Sequence, residues 1–223
     1  MTPAQRPARF AALILGCALA GQAVAQPVPA GRADFALETA SPEARRLADW
    51  VVRSQDMRGL PFIIVDKTAA RVFAFDPLGR VRGAVPALLG LARGDRSPAD
   101  IGTRRLADIT PQERITPAGR FEARLGQNLA GQDILWVDYA AAISLHRVVT
   151  GTASEHRLQR LATPPVTDNR VSYGCINVPV RFYEQVVQPL FGPADGIVYI
   201  MPEAAPVETM FPLDRAPAVR WGG

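Results

Sequence analysis

Short apolar blocks separated by turn residues dominate the chain after residue 60. Blocks at 62–65 and 71–75 are followed, after an Asp-Pro-Leu-Gly turn at 76–79, by a third block at 80–89. Blocks of this length that are rich in β-branched and aromatic residues and end at Pro, Gly or Asp are typical of β-strands. Because no helical segment separates them, the pattern predicts a β-meander rather than a βαβ unit.

A helical period precedes these strands. Apolar residues recur at the spacing of a helix face at Leu47, Trp50 and Val51. Ser41 followed by Pro42 is a typical helix start, with serine as the N-cap and proline at the first helical position. Residues 26–60 are therefore predicted to be a linker and an N-terminal helix, which ends at 57–60.

The second half of the chain continues the strand pattern. A Pro-x-Gly turn at 117–119 precedes a short strand, residues 134–146 form a longer strand-like run, and a last strand is expected at 199–200. A helix is predicted to start near Pro179. The pattern as a whole predicts a mainly β (α+β) fold, with one flanking helix at the N-terminus and one helix late in the chain.

One domain is expected. The chain has 223 residues, of which 48% are hydrophobic, and is long enough to bury one core. Residues 61–202 are predicted to form this domain. The tail at 203–223 is rich in Pro and Ala and is predicted to be an extended or disordered arm.

Residues 1–25 have the anatomy of an export signal. Arg6 and Arg9 form a charged start, residues 10–19 are apolar, and Ala-Val-Ala at 23–25 is a small-x-small cleavage site. The apolar run is shorter than the roughly 20 residues of a membrane span, so no stable span is expected after cleavage. Lipoprotein-type cleavage before Cys17 is the less favoured alternative. Both predict a protein of the periplasm or the cell wall.

The charge balance gives no support to nucleic-acid binding. The chain has 25 Lys and Arg residues and 21 Asp and Glu residues, and loss of Arg6 and Arg9 with the signal leaves 23 basic residues. No basic stripe with interleaved aromatic residues is visible. Nucleic acid is therefore not an expected partner.

Cys175 is the only cysteine that remains if Cys17 leaves with the signal. An unpaired thiol in an oxidising compartment is either buried and inert or used in chemistry. A thiol nucleophile needs a base, and the chain has only two histidines. His156 lies in a polar stretch and is expected at the surface. His146 shares a strand face with Ser144, because side chains alternate along a strand, and is the better candidate.

The residues beside Cys175 favour catalysis. Gly174 has no side chain and would let backbone N–H groups approach a substrate carbonyl, which is what an oxyanion hole requires. Ser172 can hydrogen-bond locally and hold the turn. If the helix near Pro179 points its N-terminus at Cys175, its dipole would favour the thiolate.

Three ordered motifs resemble the L,D-transpeptidase (YkuD-type) catalytic domain. They are Ser-x-Gly-Cys-Ile-Asn at 172–177, a strand histidine at 146 and Thr-Pro-x-Gly-x-Phe at 116–121. The first hairpin is similar as well, and the resemblance runs from about 62 to 202. It implies a β-sandwich-like domain without a cofactor or metal.

The resemblance also implies an activity on peptidoglycan stem peptides. Cys175 would attack the third stem residue and expel the terminal D-Ala, and a second stem or water would take the acyl group. His146 would be the base and later the acid, with a backbone carbonyl orienting its ring. The Gly174 and Cys175 amides would bind the oxyanion, Ser172 would support the loop, and Tyr173 would line the substrate groove.

Two positions depart from the family pattern. Asn177 stands where an arginine is common, and Arg147 stands where a glycine is common, so both are treated as candidate substrate-binding positions. Arg170 is a further candidate, for an anionic stem group. Since family members with altered motifs include hydrolases of stem links, an L,D-carboxypeptidase or a hydrolase is the alternative to cross-linking.

Other classes fit less well. Cys175 and Arg181 have the C-x5-R spacing of cysteine phosphatases, but the loop between them has a proline and no glycine to wrap a phosphate. One mature cysteine and two distant histidines do not make a zinc site. A non-catalytic cell-wall-binding domain, in which Cys175 is inert, remains as the non-enzyme alternative.

Overall fold

The computed structural model describes residues 31–163 and 166–214, so the predicted signal peptide lies outside the described residues. Within these residues there are ten strands, and their bounds are β1 (Phe62–Asp66), β2 (Arg71–Phe75), β3 (Val81–Pro86), β4 (Leu89–Gly90), β5 (Gly119–Gln127), β6 (Asp133–Asp138), β7 (Ile143–Arg147), β8 (Arg170–Ser172), β9 (Ile176–Val178) and β10 (Gly196–Ile200). The helices are α1 (Pro42–Ser54), α2 (Arg157–Ala162), α3 (Val180–Phe182) and α4 (Gln188–Phe191), and a π-helical turn (Tyr183–Val187) joins α3 to α4. In this part of the chain no helix is both long and apolar enough to cross a membrane.

Eight of the strands form one mixed sheet, which confirms the mainly β prediction. Their order is β3-β2-β1-β10-β5-β6-β7-β9, and β4 pairs with β8 in a small second sheet. The β1–β10 and β7–β9 pairs are parallel, and the other pairs of the large sheet are antiparallel. The predicted meander is present as β1-β2-β3.

Two predicted strand runs are interrupted. The run at 80–89 leaves the sheet after Pro86, and Leu88 then exchanges backbone hydrogen bonds with Asn177 at the other end of the sheet. The run at 134–146 is a hairpin, because Ala142 adopts a left-handed φ of 53° and its N–H donates to Tyr139. Residues 139–142 contain neither Gly nor Pro, and the local signal for the turn is Asp138, whose carboxylate accepts from the Ala141 N–H at 3.1 Å.

Strands β1, β2 and β10 are buried on both faces, and the alternation of their side chains directs residues into two cores. One core collects residues from strands at both ends of the sheet, including Val72 of β2 and Ile176 of β9, and is covered by the helical stretch 180–191. This arrangement gives the fold its sandwich-like character although the hydrogen-bonded order is continuous. The other core lies between β1, β2, β10 and helix α1, which contributes Leu47 and Val51.

Helix α1 begins as the sequence predicts and ends earlier. The Ser41 hydroxyl accepts a hydrogen bond from the Ala44 N–H at 3.1 Å, and Pro42 is the first helical residue. The helix ends at Ser54 because Gln55 adopts a left-handed φ of 57°. Met57 therefore enters the core from a turn instead of from the helix.

The described part of the tail, residues 203–214, is packed and not extended. Val207, Phe211 and Leu213 are buried in the core beside α1. The Arg53 guanidinium also donates to the Leu213 carbonyl at 3.1 Å. The apolar residues between the prolines thus anchor this part of the tail in the core. The remaining tail, 215–223, lies outside the described residues.

Candidate active site

Cys175 lies in the loop between β8 and β9 and is partly exposed. The preceding Gly174 has a φ of +132°, and a Cβ built there would lie 2.7 Å from the Ile115 carbonyl oxygen and 2.8 Å from Ile143 Cδ1. Glycine is required at 174 both for this backbone conformation and for the close approach of the Ile115 backbone. The loop is thereby pressed against the segment that precedes β5.

Sheet register brings His146 to the cysteine. Strands β7 and β9 pair in parallel, with His146 opposite Asn177 and Leu145 opposite Ile176. His146 Nδ1 lies 2.7 Å from the Arg147 carbonyl oxygen. Because a carbonyl only accepts, Nδ1 carries the hydrogen in this contact, and Nε2 is left for the thiol. The carbonyl predicted to orient the ring is therefore that of Arg147.

Two further groups from the β6–β7 hairpin surround the sulfur. The Ser144 hydroxyl donates to Cys175 Sγ at 3.6 Å, and the thiol donates to the Ala142 carbonyl, also at 3.6 Å. Ser144 was not among the predicted site residues. Its position two residues before His146 on the same strand face was the signal that could have identified it.

The electrostatics of the site favour the thiolate. Burial alone would raise the pKa of the Cys175 thiol, but hydrogen bonding and charge interaction with His146, together with hydrogen bonds from Ser144, lower that pKa below its ordinary value. The helix predicted to assist begins at Val180, beyond strand β9. Pro179 is the N-cap of this helix, which confirms the predicted start, and Val180 lines the same cleft as Cys175.

Hydrogen bonds inside the cysteine loop fix its backbone. The Ser172 hydroxyl donates to the Cys175 carbonyl at 2.6 Å and accepts from the Gly174 N–H at 3.1 Å. Ser172 thus supports the loop as predicted. The Gly174 amide hydrogen is engaged by this hydroxyl, so of the two amides expected to bind an oxyanion only that of Cys175 remains.

Asn177 and Arg170 are structural in the observed geometry. Asn177 is buried, donates to the Cys175 carbonyl at 3.2 Å and accepts from Arg157 at 2.8 Å. The Arg170 guanidinium is 8% exposed and donates to both carboxylate oxygens of Glu203, at 2.6 and 3.1 Å. The polar groups of both residues are therefore paired within the protein, and their contact with substrate stays a prediction.

Tyr173 and Arg147 also have protein partners. The Arg114 guanidinium lies 4.0 Å from the centroid of the Tyr173 ring, and the described residues that line the cleft over the thiol do not include Tyr173. Arg147 does line this cleft, but its guanidinium donates to Asp133 at 2.9 Å and to Glu184 at 3.0 Å. Arg147 therefore stabilises the wall of the cleft, and the carboxylates of Asp133 and Glu184 balance its charge.

The thiol opens into a cleft of about 1270 Å³. Its floor carries Cys175, His146 and Ser144. Its walls are the β5–β6 hairpin and the segments near 102–106 and 147–151, with several apolar side chains among them: Leu106, Leu129, Trp136, Tyr139, Val149 and Val180. The Trp136 and Tyr139 rings pack edge to face at 5.0 Å. The cleft can hold an extended chain with both apolar and polar parts.

Across residues 31–163 and 166–214, no group of three or more metal-ligating side chains comes together. The chemistry available at the cleft is that of a polarised thiol beside an imidazole, which is nucleophilic attack on a carbonyl.

Comparisons with known proteins give structural likeness only. The sequence matches no protein-family model and no curated protein. The L,D-transpeptidase from Xylanimonas cellulosilytica DSM 15894 is similar in structure, with 15% identity over 63% of this chain and 60% of that chain and a TM-score of 0.37. The LD transpeptidase LdtMt1, solved in complex with imipenem, has 13% identity over 63% of this chain and 58% of that chain and a TM-score of 0.35. This chain thus matches about three fifths of each of these structures.

Proposed function

We propose that this protein is an exported cysteine acyltransferase that cross-links peptidoglycan stem peptides through their third residues. The observation that carries the proposal is the environment of the thiol. Cys175 lies at the floor of a large cleft, within hydrogen-bond reach of Ser144, and its pKa is lowered by His146. A structural cysteine in an apolar core would have its pKa raised instead.

Acylation would proceed in two steps. The Cys175 thiolate attacks the carbonyl carbon of the third stem residue, so that a C–S bond forms and the carbonyl electron pair moves to oxygen. The tetrahedral intermediate then collapses, the C–N bond to the terminal D-Ala breaks, and the leaving amine takes a proton from His146 Nε2. The hydrogen bond from Nδ1 to the Arg147 carbonyl fixes the orientation of the ring and leaves Nε2 free for this proton transfer.

Deacylation would reverse the proton transfers. A side-chain amine of a second stem gives its proton to Nε2 as it attacks the thioester, and the Cys175 thiolate leaves. Water could take the place of the amine, which would make the protein an L,D-carboxypeptidase. The cleft of about 1270 Å³ exceeds the usual size of a small-molecule pocket, as a site for two peptide chains must.

The oxyanion formed in both steps needs a donor. The Cys175 amide is the proposed donor, because the Gly174 amide is held by Ser172. The resemblance of the three motifs to the L,D-transpeptidases and the signal-like N-terminus support the periplasm or the cell wall as the proposed location of the reaction.

Mass spectrometry of products from disaccharide-tetrapeptide muropeptides tests the proposal. Wild type is compared with Cys175→Ala and His146→Gln, and the exposed second histidine provides a matched control, His156→Gln. A cross-linked dimer that has lost one D-Ala is expected from wild type and the control and not from the two site variants.

Each other product has a defined meaning. A monomer shortened by D-Ala would assign water as the acceptor, and cleavage of added dimers would assign a hydrolase. If neither wild type nor the control changes monomers or dimers, acyl transfer on stem peptides is refuted and the wall-binding alternative is favoured.

A further inference from the structure

We infer that Thr116 is a positioning residue that aims the Cys175 amide at the oxyanion. The Thr116 side chain is completely buried, and its hydroxyl donates to the Gly174 carbonyl at 2.8 Å. The sequence motif at 116–121 is thereby connected to the cysteine loop, although 58 positions separate the two residues. This inference rests on the proposed acyl transfer, since only a carbonyl substrate forms an oxyanion.

The direction of the hydroxyl hydrogen is fixed. The Gly90 N–H donates to the same Thr116 oxygen at 2.8 Å, which occupies an acceptor position. The single hydroxyl hydrogen is then directed to the Gly174 carbonyl. The Thr116 backbone is held as well, because its own carbonyl accepts from the buried Lys67 ammonium at 2.9 Å.

Peptide planarity transmits this contact to the amide. The described residues contain no cis peptide bond, so the Gly174 carbonyl and the Cys175 N–H point in opposite directions from one plane. A carbonyl held toward Thr116 therefore holds the amide hydrogen away from it. No protein acceptor in the described part of the chain takes the Cys175 N–H, which leaves that hydrogen available to a ligand.

The neighbouring peptide plane is held by different residues. The Cys175 carbonyl accepts from the Ser172 hydroxyl at 2.6 Å and from the Asn177 amide at 3.2 Å. The sulfur is held by Ser144 and the Ala142 carbonyl, and His146 lowers the pKa of the thiol. Loss of the Thr116 hydroxyl should consequently release the Gly174–Cys175 plane while it leaves the position and the pKa of the thiol unchanged.

Two reagents separate these effects. Attack on p-nitrophenyl acetate forms a C–S bond, moves the carbonyl electron pair to an oxyanion and then expels p-nitrophenolate, so its rate depends on the oxyanion donor. Alkylation by iodoacetamide displaces iodide without an oxyanion, so its rate depends on the thiolate alone. Both rates are measured on the purified full chain. Peptide mass mapping identifies the modified residue, so that only modification of Cys175, and not of Cys17, is counted.

Thr116→Val removes the hydroxyl and keeps the shape, and Thr116→Ser is the matched control that keeps the hydroxyl. We expect Thr116→Val to lower the acylation rate about tenfold or more, while the alkylation rate and its pH midpoint stay within about twofold. Thr116→Ser should stay close to wild type in both. If circular dichroism shows that Thr116→Val does not fold, the acylation and alkylation rates of Thr116→Ala are compared with those of wild type instead.

The inference is overturned if acylation does not fall, or if acylation and alkylation fall together, which would mean a general loosening of the loop. Its failure is distinct from that of the proposed function. Inactivity of wild type on muropeptides would refute the substrate class, whereas the ratio of the two rates at Cys175 tests Thr116 with reagents that need no stem peptide.

Discussion

At the scale of single residues, opposing effects set the pKa of the Cys175 thiol. Removal from water disfavours the thiolate, and the hydrogen bonds and charge of His146 favour it, with Ser144 adding further hydrogen bonds. The balance lowers the pKa of the thiol. Because the anion is favoured, the thiolate forms at a lower pH than it does for an ordinary thiol.

Removal of either neighbour should therefore shift the pH profile of the thiol upward. His146→Gln removes the larger favourable effect and Ser144→Ala the smaller one, so the midpoint of Cys175 alkylation by iodoacetamide should rise in both, more in the former. Acyl transfer by His146→Gln should also fall about a hundredfold or more, since a positioned acid–base group is lost. His156→Gln should leave the midpoint unchanged, and a lower midpoint in Ser144→Ala would contradict the assigned hydrogen bond.

Gly174 provides a second test at this scale. Gly174→Ala would combine a backbone conformation unfavourable for alanine with a Cβ only 2.7 Å from the Ile115 oxygen, and should destabilise the protein by about 2–4 kcal/mol in urea unfolding. Gly131→Ala is the control, because Gly131 has a φ of +75° but nothing within 4 Å of its Cβ. We expect about 1 kcal/mol there. Equal losses would show that contact with Ile115 is unimportant.

At the scale of elements, pairing decides which residues meet. The parallel pair β7–β9 places the histidine strand against the strand that leaves the cysteine loop, and the tight β6–β7 turn adds the Ala142 carbonyl and Ser144. Helix α1 supports the opposite face of the central strands. Its N-cap, Ser41, also donates to Asp66 at the end of β1, at 2.6 Å, and so joins helix to sheet.

Ser41→Ala should consequently lower the free energy of unfolding by about 1–2 kcal/mol, because both the helix cap and the contact with Asp66 are lost. Ser54→Ala in the same helix is the matched control. The Ser54 hydroxyl donates only to carbonyls of its own helix, at Trp50 and Val51, so a change within about 0.5 kcal/mol is expected. Urea denaturation of both variants gives the comparison, and a neutral Ser41→Ala would exclude the cap as a contributor.

At the scale of the whole molecule, a buried charge cluster joins distant segments. Lys67 is fully buried, and its ammonium donates to Asp95 at 2.8 Å and to the carbonyls of Gly94 and Thr116 at 2.6 and 2.9 Å. Glu203 from the tail lies 3.7 Å from the same ammonium. Arg170 completes the cluster through Glu203. The first hairpin, the loop before β5 and the tail are thus held at one point behind the cysteine loop.

Lys67→Met should destabilise the protein by about 3–5 kcal/mol, because it leaves carboxylates and carbonyls buried without their cation. Arg58→Met is the control, since the ion pair of Arg58 with Glu122 is exposed, with side chains 69% and 67% accessible, and should contribute about 0–1 kcal/mol. Denaturant unfolding at neutral pH measures both. If Lys67→Met lowered the free energy of unfolding by less than about 1 kcal/mol, the buried charge cluster would not contribute to stability as inferred.

The same cluster predicts acid sensitivity. Burial would raise the pKa of Asp95, but the hydrogen bond from Lys67 and those from the backbone of 203–204 outweigh it and lower the pKa. A carboxyl group with a depressed folded pKa stabilises the fold above its ordinary pKa, and this contribution is lost as the pH falls through the folded value. Lys67→Met should therefore lose less stability on acidification than wild type, as unfolding curves from neutral to acidic pH would measure.

The sequence by itself determined the mainly β class, the first three strands, the start of α1 and the choice of Cys175 and His146 as candidates. Alternation, turn residues and caps are local, and two histidines and one cysteine outside the predicted signal peptide leave little choice. Only the tertiary structure determined which residues contact Cys175, His146 and the cysteine loop. It brings Ser144 to the thiol and the Arg147 carbonyl to His146, and it connects Thr116 to the cysteine loop. It also pairs Asn177 with Arg157 and Arg170 with Glu203. Those contacts depend on strand register and on residues far apart in the chain, which no local pattern of side chains specifies.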